Sequence, residues 1–275
     1  MKTILVPTDF SKNSSNAINY AAEIAKLSKA ELVLMHIYYI PVVTADAPVV
    51  MPAWSDIEKD CLAALKKTAR SIHAKYGKSL AIKCVCRMGF AVDETIKQYT
   101  EEKKIDMVIM GMHGAGYLTE KLIGSNTSAL IKKSDCPVMV INEHVKFKKI
   151  KKIILACDYE KIPGKPVFNI LKKFVTLFKS EVFVLHVINE NKKIAASKET
   201  IINKEIIKSL KGADVSFCFI ENDNTISGIN EFAAEKKADM IVIIPRVHNF
   251  LDRVFKESNT KRMVFHSSIP LLALH

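Results

Sequence analysis

"IDMVIMGMHGAGYLTEKLIGSNTSALIKKSDCPVMVI", residues 105–141, runs from an apolar strand pattern through a glycine-bearing segment into a helical pattern and a second apolar strand. The same length of chain returns 133 residues later as "ADMIVIIPRVHNFLDRVFKESNTKRMVFHSSIPLLAL", residues 238–274, without a gap. "IDMVIM" falls on "ADMIVI", "GSNT" on "ESNT" and "CPVMVI" on "IPLLAL". Near the start of each copy the offset becomes 149 to 150, placing "KTILVPTDFS" (2–11) on "KIILACDYE" (152–160) and "ELVLMHI" (31–37) on "EVFVLHV" (181–187). The first copy therefore carries about seventeen extra residues, around the Pro-containing segment "YYIPVVTADAPVVMPAW" (38–54). A repeat of this period means two homologous units. We divide them as 1–146 and 147–275.

Each unit alternates short apolar runs with amphipathic stretches. In the first, "TILVPT" reads as a buried strand, and "SNAINYAAEIAKLS" sets Ala17, Ala21 and Ile24 on one helical face. "ELVLMHI" is the next strand. "SDIEKDCLAALKKTARSIHAKY" opens with a capping box, Ser55 and Glu58, and spaces Ile57, Cys61, Leu65 and Ile72 helically. "LAIKCVC", the helix "VDETIKQYTEEKK", "DMVIM", a helix after Gly124 and "PVMVI" complete the unit. Strands apolar on both faces that alternate with helices make a parallel α/β sheet with right-handed crossovers.

Composition is that of a globular chain, 275 residues with 49% hydrophobic and 25% charged. No apolar run approaches the ~20 residues that span a bilayer, and "MKTILVPTDFS" does not read as a signal peptide. We expect a cytoplasmic protein. On that reading Cys61, Cys84, Cys86, Cys136, Cys157 and Cys218 are reduced and serve as small hydrophobes. Cys84-x-Cys86 lacks the spacing of a zinc knuckle or a dithiol redox motif. The net charge of +12 is carried mostly by Lys and comes with no nucleic-acid motif, so it reads as a solvated surface rather than a nucleic-acid site.

Residues 111–125, "GMHGAGYLTEKLIGS", hold four of the chain's nine glycines. Gly111 follows a strand, and Gly124 with Ser125 stands where a helix starts. The free N–H groups and positive dipole end of that helix face the loop. Glycines permit close backbone approach and positive φ, the ingredients of an anion nest, and Ser125 and Thr127 add hydroxyl donors. The pattern G-x2-G-x9-G-[ST] matches neither a Walker A loop nor a dinucleotide fingerprint, and we read it as a phosphate site made mainly of backbone.

The combination "ILVPTDFS", "LVLMHI", "DMVIMGMHGAG" and "GSNTSALIKKSDCPVMVI" resembles the universal stress protein family, as a tandem of two such domains. The resemblance implies an adenine nucleotide alpha hydrolase-like fold. In it, each unit has an open five-stranded parallel sheet of order 3-2-1-4-5 flanked by helices, with a ligand at the switch point between strands 1 and 4. It implies an adenine nucleotide, ATP or else AMP or ADP, with or without Mg²⁺. Gly111, Gly114, Gly124 and Ser125 match the family signature. By resemblance, Pro7, Thr8 and Asp9 end strand 1, with Asp9 on the ribose or adenine edge and the backbone near Ile37 on adenine. Gly111 and Gly114 flank the ribose and α-phosphate, while Gly124, Ser125, Asn126 and Thr127 take the outer phosphates. Asp9 has the alternative of capping the next turn, and His113 either touches phosphate or faces solvent. His36 and His186 read as structural histidines. The family pairs through its last strands, so a tandem chain can pair "VMVI" with "LLAL" internally, and a further homodimer is open to it.

In the second unit Ile244, Val247 and Glu257 stand for Gly111, Gly114 and Gly124, and Arg246 for His113, although Asp158 still matches Asp9. The expectation is one nucleotide, in unit one, in a stress-response sensor or regulatory module without catalytic residues. The alternatives are a slow ATPase or autokinase drawing on His113, Thr119 or Glu120, and a basic adaptor for polyanions.

Overall fold

The computed structural model describes residues 1–39, 54–112, 124–157, 167–188, 204–245 and 269–275. Unit one runs β1 (Thr3–Pro7), α1 (Lys12–Ser28), β2 (Glu31–Tyr38), α2 (Trp54–Tyr76), β3 (Ile82–Met88), α3 (Val92–Lys103), β4 (Met107–Gly111), α4 (Ser125–Lys133) and β5 (Val138–Ile141). Unit two runs β6 (Lys152–Ala156), α5 (Phe168–Phe178), β7 (Glu181–Ile188), a helix over 204–209 (α6), β8 (Asp214–Glu221), α7 (Thr225–Lys236), β9 (Met240–Ile243) and β10 (Leu271–Ala273).

The ten strands among the described residues form a single sheet in the order β3-β2-β1-β4-β5-β10-β9-β6-β7-β8. Each half keeps the order 3-2-1-4-5, and the strands within a half are parallel. Two five-stranded sheets are thus edge-joined into one, because β5 and β10 pair antiparallel, with Val140 opposite Leu271 and Val138 opposite Ala273. The join removes two apolar strand edges from solvent. It leaves β3 and β8 as the outer edges.

The repeat extends to single hydrogen bonds. Thr8 N–H donates to Met35 O at 2.8 Å, and Cys157 N–H donates to Leu185 O at 2.9 Å. Asp106 Oδ2 accepts from the N–H groups of Lys2 and Thr3, and Asp239 Oδ2 from those of Lys151 and Lys152. Burial by itself would raise both carboxyls. The hydrogen bonds from Lys173 to Asp106 and from Lys148 to Asp239, with those backbone donors, outweigh it and hold both below the usual carboxylate range. Lys173 of α5 reaches Asp106 from the other unit, at 2.6 Å.

The core lies on both sheet faces. One side packs α1, α2 and α5 over Ile4, Leu34, Met139 and Leu272. The other packs α3, α4 and α7 over Leu5, Val108, Val140 and Ile241. Phe147, in the connection between units, bridges Tyr20 of α1 and Phe178 of α5 with centroid distances of 5.2 and 6.3 Å. Asn16 Nδ2 donates to Asn142 O and Val145 O, tying the same connection to α1.

Helix α2 is described from Trp54, and the residues that would decide the Ser55–Glu58 capping box lie partly outside the described ones. One sequence expectation is corrected. Cys61 and Cys86 are not free thiols but form a disulfide, with Cα atoms 6.4 Å apart. Packing of α2 on β3 brings together two residues 25 positions apart, a pairing that the spacing of cysteines cannot reveal. Cys84, Cys136, Cys157 and Cys218 form no disulfide.

Candidate functional site

At the carboxyl ends of β1 and β4 the chain departs to opposite faces of the sheet, and a cleft of about 270 Å³ opens there. This is the switch point at which open α/β sheets take ligands. Pro7, Thr8 and Asp9 line one side, Ile37 the end of β2, Gly111 the end of β4, and Gly124, Ser125, Asn126 and Thr127 the start of α4. These expected residues converge on one cavity. His113 and Gly114 lie outside the described residues. Ser14, Met35, His36, Val92 and Met110 also line the cleft. Sequence reasoning passed over Val92, whose place at the first turn of α3 was the available signal.

The turn after β1 is built from short polar bonds. Thr8 Oγ1 accepts from Phe10 N–H at 3.0 Å and shares a hydrogen bond with Ser14 Oγ. Asp9 Oδ1 accepts from Ser11 N–H at 3.0 Å, so Asp9 performs the turn-capping alternative while lining the cleft. Ser11 Oγ in turn accepts from Ser14 N–H and starts α1. Phe10 between them holds φ 61°, a left-handed conformation unfavourable for a bulky residue. Its ring lies 4.7 Å from that of His36. His36 Nδ1 is hydrogen-bonded to Thr8 O at 2.7 Å, and His186 Nδ1 to Cys157 O at 2.9 Å, the structural use expected of both rings.

The α4 side is the chemically distinctive one. Gly124 is the N-cap residue, has no side chain to offer, and the helix has no side-chain cap and no acidic residue in its first turn. The first helical bond runs from Ser128 N–H to Gly124 O, leaving the preceding N–H groups of Ser125, Asn126 and Thr127 at the mouth. Such an end carries about half a positive charge. Thr127 is buried and donates its hydroxyl to Gly111 O at 3.2 Å, and Gly124 N–H donates to Met112 O at 2.8 Å. The end of β4 and the start of α4 are therefore clasped together beside the cleft.

Gly111 and Gly124 do not use the positive φ that the glycine cluster allows. Gly124 has φ −58°, and Gly111 is not among the positive-φ glycines, so neither contributes the left-handed turn of a nest. A Cβ on Gly111 would stand 3.1 Å from the backbone C and O of Asn13. Gly111 is small because the first turn of α1 crosses directly over it. At the matching place in unit two, Ile244 is partly buried against the core. Val247, Glu257, Asp158 and Arg246 lie outside the described residues. Among the described residues no group of three His, Cys, Asp or Glu side chains could hold a metal ion, and no helix is long and apolar enough to cross a membrane.

The fold and cleft define an open α/β protein with a ligand crevice at its strand-order reversal. The sequence profile of the universal stress protein family matches residues 1–142 and again 149–275. The chain belongs to the universal stress protein family, as a tandem of two of its domains. A universal stress protein of Synechocystis sp. is 30% identical over 141 residues, covering 51% of this chain and 85% of that one. Another, of Methanocaldococcus jannaschii, is 28% identical over 153 residues, covering 51% and 94%. The crystal structure of a universal stress protein from Archaeoglobus fulgidus superposes with a TM-score of 0.73 at 19% identity, covering 98% of this chain and 97% of that one, and so shares the whole fold.

Proposed function

We propose that unit one, residues 1–146, binds one adenine nucleotide in the β1/β4 cleft, and that the chain acts as a nucleotide-responsive regulatory module of the stress response. The observation that carries this reading is the uncapped start of α4, whose Ser125, Asn126 and Thr127 N–H groups open on a cleft at the switch point. An anion there satisfies donors that have no acceptor among the described residues. Gly124, Ser125, Asn126 and Thr127 would take phosphates; Pro7, Thr8, Asp9 and Ile37 would hold the nucleoside. Gly111 keeps the crevice floor thin. Asp9 is the carboxylate lining the cleft among the described residues. Mg²⁺ arriving with ATP would therefore be held chiefly by the phosphates, its usual mode.

Binding is favoured over turnover. Stabilising a transferring phosphoryl group calls for Lys, Arg or a metal ion, and the described lining of the cleft has no Lys or Arg. Unit two, residues 147–275, serves as the structural partner, its β10 replacing the last strand of a second copy. A further homodimer would use surface outside this seam. An adenine-nucleotide ligand also fits a cytoplasmic site of action.

Mass spectrometry of ligand released from the purified, denatured protein tests the identity of the nucleotide, and calorimetry tests its stoichiometry. ATP, ADP or AMP at one per chain is the expected result. Two equivalent sites, or a polyanion bound with steep salt dependence in place of nucleotide, would replace this reading.

A further inference from the structure

The Cys61–Cys86 disulfide belongs to the unit that has the open cleft, and it joins α2 to the strand next to β2, whose Met35, His36 and Ile37 line that cleft. Among the described residues strand β3 is an outer edge of the ten-stranded sheet, hydrogen-bonded on one side only, to β2. Cys86 stands opposite His36 in that ladder. His36 lines the cleft and bonds Thr8 O on its floor. The covalent link from α2 therefore ends one ladder position away from a cleft residue. In unit two the equivalent edge position is Phe219, opposite His186, with ring centroids 6.2 Å apart. There the matching strand position makes an aromatic contact that no reductant can open. Cys84, two residues before Cys86 on the same face of β3, is free, and burial pushes its thiol up despite Lys66. It stays protonated at neutral pH and does not compete for the bond.

We propose that Cys61–Cys86 is a redox-responsive brace: as a disulfide it pins edge strand β3 to α2, and as a dithiol it frees β3 and weakens ligand binding in the cleft. The effect on ligand rests on the nucleotide reading above. The effect on β3 does not. Cys86 is the more accessible of the two sulfurs, since Cys61 is buried. A thiolate of a small dithiol attacks Cys86 Sγ, the Cys61–Cys86 bond breaks, and Cys61 leaves as a thiolate that takes up a proton. The second thiol of the reagent then displaces Cys86 and closes the reagent's own disulfide. Two electrons and two protons pass to the protein. A low-molecular-weight disulfide reverses the exchange and closes the brace. An edge strand is the element whose local opening costs least, so it is the one a single cross-link controls most.

The test uses the full-length chain before and after dithiothreitol, with thiols counted in denaturant. Four free thiols before reduction and six after are expected. Hydrogen exchange at residues 82–88 should become about tenfold faster on reduction, while 214–221 is unchanged. The apparent Kd for ATP should weaken about threefold, as a cleft competent for about a third of the time requires. Cys61→Ser and Cys86→Ser should behave as the reduced protein under both conditions, and Cys84→Ser should keep the full response. Six thiols without reductant, or unchanged exchange in β3 after reduction, would overturn the brace. A loosened β3 with unchanged ATP affinity would overturn its coupling to the cleft. If the oxidised chain binds no ATP, the nucleotide reading fails and the exchange measurement alone judges the brace.

Discussion

Met139 in β5 and Leu272 in β10 stand opposite each other, antiparallel, at the centre of the ten-stranded sheet, and both are completely buried. One residue comes from each copy of the repeat, so the hydrophobic core of either unit is incomplete without the other. Leu272→Ala should cost about 2–5 kcal/mol, the range for a buried leucine whose site cannot collapse. Urea unfolding followed by circular dichroism would measure it. Residues 1–146 expressed alone should dimerise through the exposed β5, and a monomer by sedimentation would contradict the role assigned to the seam.

Gly124→Glu writes the residue of unit two, Glu257, into unit one. A carboxylate at the N-terminus of α4 competes for the N–H groups and repels phosphate. Losing one charge-assisted hydrogen bond costs ~1.5–3 kcal/mol, so ATP affinity should fall by at least roughly tenfold. Asp9→Ala should also weaken binding, whereas Asp158→Ala should leave it unchanged. Calorimetry on the three variants checks this, and normal binding by Gly124→Glu would remove the α4 terminus from the site.

The two units solve one packing problem with opposite residues. A Cβ on Gly89 would overlap the side-chain oxygen of Thr95 one turn into α3. In unit two the equivalent residues are Asn222 and Gly228, and a Cβ on Gly228 would lie 3.1 Å from Asn222 Cβ. Gly89→Ala should therefore destabilise by about 1–3 kcal/mol through overpacking. Thr95→Gly alone should cost roughly a few tenths of a kcal/mol in helix propensity. The double variant should lose less than the sum of the two, and a strictly additive pair in thermal unfolding would mean that the contact is loose.

His275 follows the seam strand, and burial lowers its pKa to about 4, with Asp135 acting the other way. The folded chain therefore resists protonating this ring. Above pH 6.5 the ring is neutral in both states and contributes no pH dependence. Between about 6.5 and 4 only the unfolded chain takes up the proton, so stability should fall across that window by up to roughly 3 kcal/mol and level off below it. Asp106 and Asp239 act at lower pH, since their stabilisation is full above 3.8 and is lost as pH drops through their depressed values. Denaturation midpoints at pH 7.5 and 4.5 should differ for the native chain and converge for His275→Leu.

Period and composition made much of this protein legible. The repeat, the buried strands and the helix starting after Gly124 follow from patterns that lie within one stretch of chain or recur at a fixed offset. The convergence of Pro7–Asp9 with Gly111 and Ser125 is implied only by the family resemblance, which carries the strand order. Apolar periodicity reports which face an element buries. It does not report what that face meets. That is why only the tertiary structure showed Cys61 beside Cys86, α1 crossing over Gly111, and the exchange of glycine between Gly89–Thr95 and Asn222–Gly228. Phe10 belongs with them: no propensity rule places an aromatic side chain at positive φ. It is held there by Thr8, Asp9 and Ser11 on either side and by the His36 ring from the next strand. Local sequence sets what each element is. Distances between elements far apart in the chain are set by the packing of both sheet faces together, and the cleft takes its shape from that packing.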